Sequence, residues 1–545
     1  MSNIALLIGT ACLFAAIANR FKQPLLVGYL LAGITLSYLG LIGDGLFLEV
    51  GSQIGVTLLL FLVGMEMNVG QLPSLGKVAF LTGFGQIFFT STIGFGLAIL
   101  LGFGVLPSIY IAIALTFSST IIMMKLLSEK NDLGSLYGRI AIGFLLVQDV
   151  VAMLILMFLS GLEAGDLAVS TLFVLIFKAL ILLAIVFALS RYILPRVVDR
   201  IMAGSSELLF IFSIAWALVF AVFVSEGLGF TLEIGGFLAG LALSNLPEHL
   251  QIASRTRPLR DFFLTIFFLS LGTKLVVGGI GGVIAPALIL SVFVLIGNPI
   301  IVLVVMGFLR YRKRTSFLAG LTVAQISEFS LILMSMGFSL GHVGQKEVAL
   351  VVIVGVITMT ISTYMIVGAE RLYVYLKSPL SFFERKKTKE ISLGKKRDYK
   401  DHVVLVGCDR TGKQIISTLQ KKEIEFVVVD FNPQIFNNLY AQNIPVVFGD
   451  ISDPDILDEI NIKKANVVIS TSPSTADNLA LLQGLKDVSS TAASIFINHD
   501  RQKATEFYEH GAALVVNPEL VAGDYIANTL KKTKFNKKAI KRLAK

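Results

Sequence analysis

The stretch AIGFLLVQDVVAMLILMFLS, Ala141–Ser160, decides the fold. Its 20 residues reach about 30 Å as a helix, the thickness of a bilayer's hydrocarbon core. It holds a single ionisable group, Asp149, preceded by Gln148. An ionised carboxylate at that depth costs roughly 3 kcal/mol or more unless it finds a partner, a water-filled cavity or a proton. Asp149 is therefore expected to carry ions or protons. The alternative is a buried acid satisfied by neighbouring helices.

The rest of the chain repeats this character. Its 545 residues are 55% hydrophobic with mean hydropathy +0.80, and the excess falls in runs of membrane-spanning length. The runs stop near residue 376. Composition thus divides the chain into a transmembrane domain, 1–376, a basic linker, 377–400, a soluble domain, 401–520, and a basic tail, 521–545. The net charge of +9 reflects basic membrane loops and implies no nucleic-acid partner. Cys12 and Cys408 fall in different domains, so no disulfide framework is implied. Met1–Phe21 lacks a basic start and a small-residue cleavage site and reads as a retained first helix.

Thirteen hydrophobic segments can be drawn, near 4–21, 24–41, 50–67, 77–101, 106–127, 136–160, 167–190, 207–225, 229–246, 261–275, 283–309, 315–340 and 347–376. Alternate loops are basic: Arg20 and Lys22; Lys77; Lys130 and Arg139; Arg191, Arg196 and Arg200; Arg255, Arg257 and Arg260; Arg310, Arg312, Lys313 and Arg314. The other loops hold Asp44, Glu49, Glu163 and Asp166, with Lys274 and Lys346 their main cations. By the positive-inside tendency the basic set is cytoplasmic. The N-terminus is then outside the cell membrane and the soluble domain cytoplasmic.

Two spans are interrupted by polar residues. The fifth contains Thr116-Phe117-Ser118-Ser119-Thr120 and the twelfth Gln325-Ile326-Ser327-Glu328. Seven helices apart, they cross in opposite senses, as inverted repeats over helices 2–6 and 9–13 require. Matched broken helices point to a transporter's binding site. Broken backbone at membrane depth is tolerated where it lines a cavity or is covered by protein. The hydroxyls of Ser118, Ser119 and Thr120 could equally bond within and between helices. Glu328 on the symmetry-related helix favours a site.

Leu60-Phe61-Leu62-Val63-Gly64-Met65-Glu66, Ser118-Ser119-Thr120-Ile121, Gly138-Arg139-Ile140 leading to Val147-Gln148-Asp149, Gly235-Gly236-Phe237-Leu238-Ala239-Gly240 and Ala324-Gln325-Ile326-Ser327-Glu328-Phe329 together resemble the cation:proton antiporter-2 family. With the soluble domain, the chain is similar to Kef-type potassium efflux antiporters from about residue 4 to 520. The resemblance implies that Asp149 binds a proton or a monovalent cation, never both, with Gln148, Ser119, Thr120, Gln325 and Glu328 shaping the site. Desolvation favours its neutral form and a bound cation its carboxylate, so the two compete. Many relatives carry a basic residue near Gly297-Asn298-Pro299, where this chain has Asn298. That departure and the single acid suggest one-for-one, electroneutral exchange. Lys178, mid-span in helix 7, either snorkels or pairs with an acid such as Glu233. Glu66 and Arg139, at cytoplasmic helix ends, read equally as anchors or gating groups.

In the soluble domain Val403–Val406 reads as a strand followed by Gly407-Cys408-Asp409-Arg410-Thr411-Gly412, then a helix, then strand Phe426–Val429 ending in Asp430. Further strands are expected at Val446–Phe448, Val467–Ile469, Ile495–Ile497 and Leu514–Val516, giving a doubly wound parallel sheet. The glycine-rich turn would aim backbone N–H groups at phosphate, and Asp430 is placed to hold a ribose hydroxyl. Asp409 stands where a second glycine would admit pyrophosphate, with Arg410 able to compensate. AMP and NAD(H) are both open as regulatory ligands, with Asp450 facing them. This part resembles the TrkA-N, or potassium-conductance-regulating, domain, whose members dimerise and gate a membrane partner.

The expected fold is thus an all-α polytopic membrane domain with inverted repeats plus an α/β Rossmann-like domain. The expected function is a homodimeric secondary transporter, not an enzyme, exchanging K+ in preference to Na+ for protons. A nucleotide-gated potassium channel-like protein is the alternative, though no Thr-Val-Gly-Tyr-Gly-like filter is present.

Overall fold

The computed structural model describes residues 2–41, 45–66, 76–130, 132, 135–160, 181–182, 184–198, 206–246, 248–277, 282–385, 399–408, 410–431, 433–451, 454–472, 475–498 and 504–533. It divides into two compact units. One comprises Met1–Met123, Ile140–Val305 and Phe317–Leu372; the other comprises Met124–Arg139, Met306–Ser316 and Tyr373–Lys545.

The first part of the chain is helical. Its elements are α1 (Ser2–Arg20), α2 (Leu25–Tyr38), α3 (Gly45–Glu66), α4 (Gly76–Leu100), α5 (Val105–Ala114), α6 (Thr120–Glu129) and α7 (Leu136–Ser160). After the short α8 (Leu194–Val197) come α9 (Ser206–Leu228), α10 (Leu232–Leu243), α11 (His249–Val277), α12 (Ile284–Val292), α13 (Asn298–Phe308), α14 (Lys313–Leu321), α15 (Glu328–Ser339), α16 (Gln345–Val367) and α17 (Ala369–Leu380). Among the described residues, six helices are long and apolar enough to cross a membrane, and α12 and α13 form one of them through a π turn at Phe293–Gly297. Most of the expected seventh span, with Lys178, lies outside the described residues.

Two boundaries differ from expectation. Helix α11 starts at His249 instead of near 261, so Arg255, Arg257 and Arg260 are helical and extend the span beyond its apolar part. Hydropathy registers only the apolar portion of such a helix. The thirteenth span ends at Val367, and Gly368 separates it from α17, whose apolar and charged residues alternate with helical spacing. The tail from residue 521 is helical through Thr533.

Helix α5 has 10 residues, about 15 Å, half a bilayer. Residues 115–119 are non-helical, and α6 then continues. The second interruption, residues 322–327, parts α14 from α15. The two breaks touch: Ser118 Oγ donates to Val323 O at 3.5 Å, and Ser330 Oγ to Ala114 O at 2.5 Å.

Glycines let the surrounding helices meet at backbone distance. A Cβ on Gly240 of α10 would lie 1.9 Å from Phe61 O of α3, and one on Gly64 would lie 2.1 Å from Phe237 O. With little hydrophobic drive between helices in lipid, such close packing holds them together. Two of the family-like motifs therefore form one helix crossing.

The soluble part contains β1 (His402–Val406), α18 (Arg410–Lys421), β2 (Phe426–Asp430), α19 (Pro433–Ala441), β3 (Val446–Phe448), α20 (Pro454–Glu459), β4 (Ala465–Ser470), α21 (Thr475–Asp487), β5 (Ala493–Ile497), α22 (Ala504–Glu509), β6 (Leu514–Val516) and α23 (Pro518–Thr533). The strands form one parallel sheet in the order β3-β2-β1-β4-β5-β6. Strands β1 and β2 are buried at every position, as unbroken apolar runs in a parallel sheet should be. This order reverses beside β1, which places the turn at Gly407 at the switch point where such sheets bind ligands.

Candidate functional site

The polar groups freed by the first interruption account for much of the site. The last carbonyls of a helix have no partner in the helix itself and, away from water, must find one elsewhere. At the end of α5 they find side chains from several elements. Thr116 Oγ1 donates to Ala112 O at 2.9 Å, Ser330 Oγ to Ala114 O, Asn298 Nδ2 to Leu115 O at 3.1 Å, and Gln86 Nε2 to Thr116 O at 3.2 Å. Ser91 and Thr116 hydroxyls lie 3.0 Å apart.

Beyond the break, Ser119 Oγ accepts the Ile122 N–H at 3.3 Å and so caps the new helix. Thr120, first residue of α6, donates through Oγ1 to Asp149 Oδ2 at 3.1 Å. Asp149 is half-buried in α7 and faces the start of α6, where the helix dipole favours negative charge. Gln148 has a different partner: its Nε2 donates to Gln86 Oε1 of α4 at 2.6 Å. Its Oε1 is buried with no hydrogen-bond partner among the described residues.

The second interruption is arranged differently. Ser327 caps α15 by accepting the Phe329 N–H at 3.2 Å, while its hydroxyl lies 3.2 Å from Glu328 Oε2 as donor. Glu328 is buried in the first turn of α15. Gln325 Oε1 accepts from Ser362 Oγ at 2.8 Å, and the Ile326 N–H reaches Thr358 Oγ1 at 3.4 Å. Of the expected membrane residues, the structure brings Thr120 and Asp149 into direct contact. Ser119 serves the α6 cap, Gln148 bonds to α4, and Gln325 bonds to α16.

Sequence reasoning missed Gln86, Thr90 and Ser362. The first two carried a signal, since polar residues four apart on an apolar span share one helix face. Lys178 is outside the described residues, and Glu233 stands half-buried in the first turn of α10.

In the soluble part Gly407 has φ +80°, and a Cβ on Gly412 would lie 2.4 Å from Gly407 O. Both positions need glycine, which closes the turn tightly against the start of α18. Asp430, at the end of β2, accepts the Cys408 N–H through Oδ2 at 2.8 Å, so the acid holds the turn itself. Thr471 Oγ1 donates to Val406 O and Gly407 O from β4's end. Thr411 is exposed on α18, Asp450 is buried after β3, and Asp409 lies outside the described residues. The tight turn and the start of α18 stand at the sheet's switch point, where backbone N–H groups of such folds can meet a phosphate.

A family model for the sodium/hydrogen exchanger transmembrane region matches residues 6–368, and one for the TrkA-N domain matches 403–518. The chain belongs to the sodium/hydrogen exchanger family. Within that family it is of the Kef type with a TrkA-N domain, so it is a cation/proton antiporter and a multi-pass membrane transporter. The putative cation/proton antiporter YbaL of Escherichia coli (strain K12) is 27% identical, covering 85% of each chain. The putative K(+) efflux antiporter KefB of Alkalimonas amylolytica is 24% identical over 96% of this chain and 79% of its own. The solved sodium proton antiporter MjNhaP1 of Methanocaldococcus jannaschii superposes with a TM-score of 0.52, covering 69% of this chain and 97% of its own at 15% identity, a likeness of fold. Membership of an exchanger family does not favour the channel-like reading.

Proposed function

We propose that this exchanger-family protein is a homodimer that trades a monovalent cation, K+ in preference to Na+, for a proton, with Asp149 as the group both passengers share. The observation that carries the reading is the Thr120–Asp149 hydrogen bond, which sets an intramembrane acid at the start of a broken helix. A carboxylate there is favoured by the helix dipole and a donated hydrogen bond, yet it faces the cost of burial, so it gains from either a proton or a cation. Ser119, Gln148, Gln325 and Glu328 shape the site around it. Potassium is favoured by the K(+) efflux antiporters among the relatives. A single acid beside neutral Gln148 and Asn298 supports one cation per proton. The loop arginines and lysines support an N-terminus outside and a cytoplasmic TrkA-N domain. There a nucleotide, AMP or NAD(H), held by Gly407, Asp409, Arg410, Thr411, Gly412, Asp430 and Asp450, regulates exchange.

The test is cation-driven pH change in everted vesicles, K+ compared with Na+, with and without AMP or NADH. Asp149→Asn should abolish exchange while the protein still inserts. Exchange persisting in that variant would overturn the reading.

A further inference from the structure

The side chains of Gln86, Thr90, Asn298 and Gln148 are all buried, with exposures of 0%, 0%, 0% and 1%. They form a single chain of hydrogen bonds, and its direction is dictated from one end. Backbone carbonyls can only accept. Asn298 reaches Leu115 O at 3.1 Å, so the atom facing Leu115 is its Nδ2 and its Oδ1 faces Thr90. The Thr90 hydroxyl must then donate to Asn298 Oδ1, at 2.9 Å, and it accepts from Gln86 Nε2 at 3.2 Å. The same Gln86 nitrogen donates to Thr116 O at 3.2 Å, which uses both its hydrogens. Gln86 therefore turns Oε1 toward Gln148, and only an N–H can answer it: Gln148 Nε2 donates at 2.6 Å. Reversing the Gln148 amide would press two carbonyl oxygens together. What remains of Gln148 is a buried carbonyl oxygen with no hydrogen-bond partner among the described residues.

A buried acceptor left unmade is costly, and a dehydrated monovalent cation is a ligand that carbonyl oxygens satisfy. We infer that Gln86, Thr90 and Asn298 are positioning residues that fix the amide of Gln148 with its oxygen presented to the cation, and so set cation affinity at Asp149. The relay is anchored on the carbonyls of Leu115 and Thr116, at the start of the break after α5, so the orientation is tied to the break itself. Asn298 contributes a neutral donor and acceptor where a cationic side chain could supply donors alone. The inference rests on Asp149 as the shared carrier.

The experiment uses full-length protein in proteoliposomes and the cation, K+ or Na+, that drives wild-type exchange. Gln86→Met keeps length and removes the polar atoms; Thr90→Val is nearly isosteric and cuts the relay; Thr90→Ser restores the hydroxyl. Loss of the amide's orientation should raise the cation KM about tenfold in Gln86→Met and Thr90→Val, by the same factor at each pH, with maximal rate within about twofold. Thr90→Ser should recover most of that affinity. A fall in maximal rate at unchanged KM, or no change in either, overturns the inference and leaves the relay a structural cap for α5. If Gln86→Met does not assemble, the Thr90 pair decides alone. Exchange surviving Asp149→Asn defeats the carrier reading instead, whatever the relay variants do.

Discussion

Thr120 Oγ1 and Asp149 Oδ2 lie 3.1 Å apart, and this hydrogen bond ties the first residue of α6 to the middle of α7. A hydroxyl there can donate to the bare carboxylate or lend its oxygen to a cation. Removing it strips the charged state of Asp149 of one stabilising contact, worth about 1.5–3 kcal/mol for a hydrogen bond to a charged group.

Thr120→Val should therefore weaken cation binding by roughly tenfold or more, while Thr120→Ser stays close to the parent. Cation-driven pH change in everted vesicles, titrated with K+, reads this directly. Equal KM values for the valine and serine variants would show that the hydroxyl plays no part.

At the crossing of α3 and α10, Gly240 and Phe61 O sit too close for any side chain. Gly240→Ala must push the two helices apart, a strain of about 1–3 kcal/mol. The expected outcome is a lower melting temperature of the detergent-purified protein and a smaller folded yield. Gly96→Ala, where a Cβ meets nothing within 4 Å, is the matched control.

His402 opens β1 fully buried, with Nε2 bonded to Ile460 O at 2.9 Å and Nδ1 without a partner among the described residues. Burial holds its pKa below the ordinary 6.5, outweighing the Ile460 hydrogen bond and the charges of Glu425 and Asp401, which raise it. The unfolded chain therefore binds more protons than the folded one just below that value. The contribution is complete above about pH 6.5 and fades as pH falls toward the depressed folded value. Hydrogen exchange of the β1 amides in the full-length protein should speed up between neutral pH and about pH 5.5, after correction for intrinsic rates, and His402→Phe should flatten that trend.

Asp430 holds the Gly407 turn through the Cys408 N–H. Asp430→Ala leaves that buried donor without its acceptor and removes the carboxylate proposed to meet a ribose. Any melting-temperature rise that AMP or NADH produces in the parent protein should disappear in the variant. A full ligand shift in Asp430→Ala would place the nucleotide elsewhere.

Much of this was legible in the order of residues. Thr116–Thr120 and Gln325–Glu328 announced both breaks, because polar side chains and non-helical backbone are tolerated in a membrane span only for a reason. Asp149 announced itself by cost. Gly407, Gly412 and Asp430 announced the sheet's switch point, since a tight turn after an apolar strand admits few other residues. Less visible was Arg255, which reads as a loop residue by hydropathy but lies within α11. Polar side chains continue a helix out of the apolar layer without altering its hydrogen bonds.

The sequence alone determined which segments are apolar enough for a membrane, where they break and which acid lies among them, for these depend on side-chain chemistry along a single strand of residues. Tertiary structure alone decided that Gln148 bonds to Gln86 and keeps its own oxygen buried without a hydrogen-bond partner among the described residues, and that Gly64 and Gly240 share one crossing. Those facts depend on which atoms of distant helices stand within 3 Å of each other, and neither hydrogen bonds nor packing distances between such helices follow from the periodicity of either one.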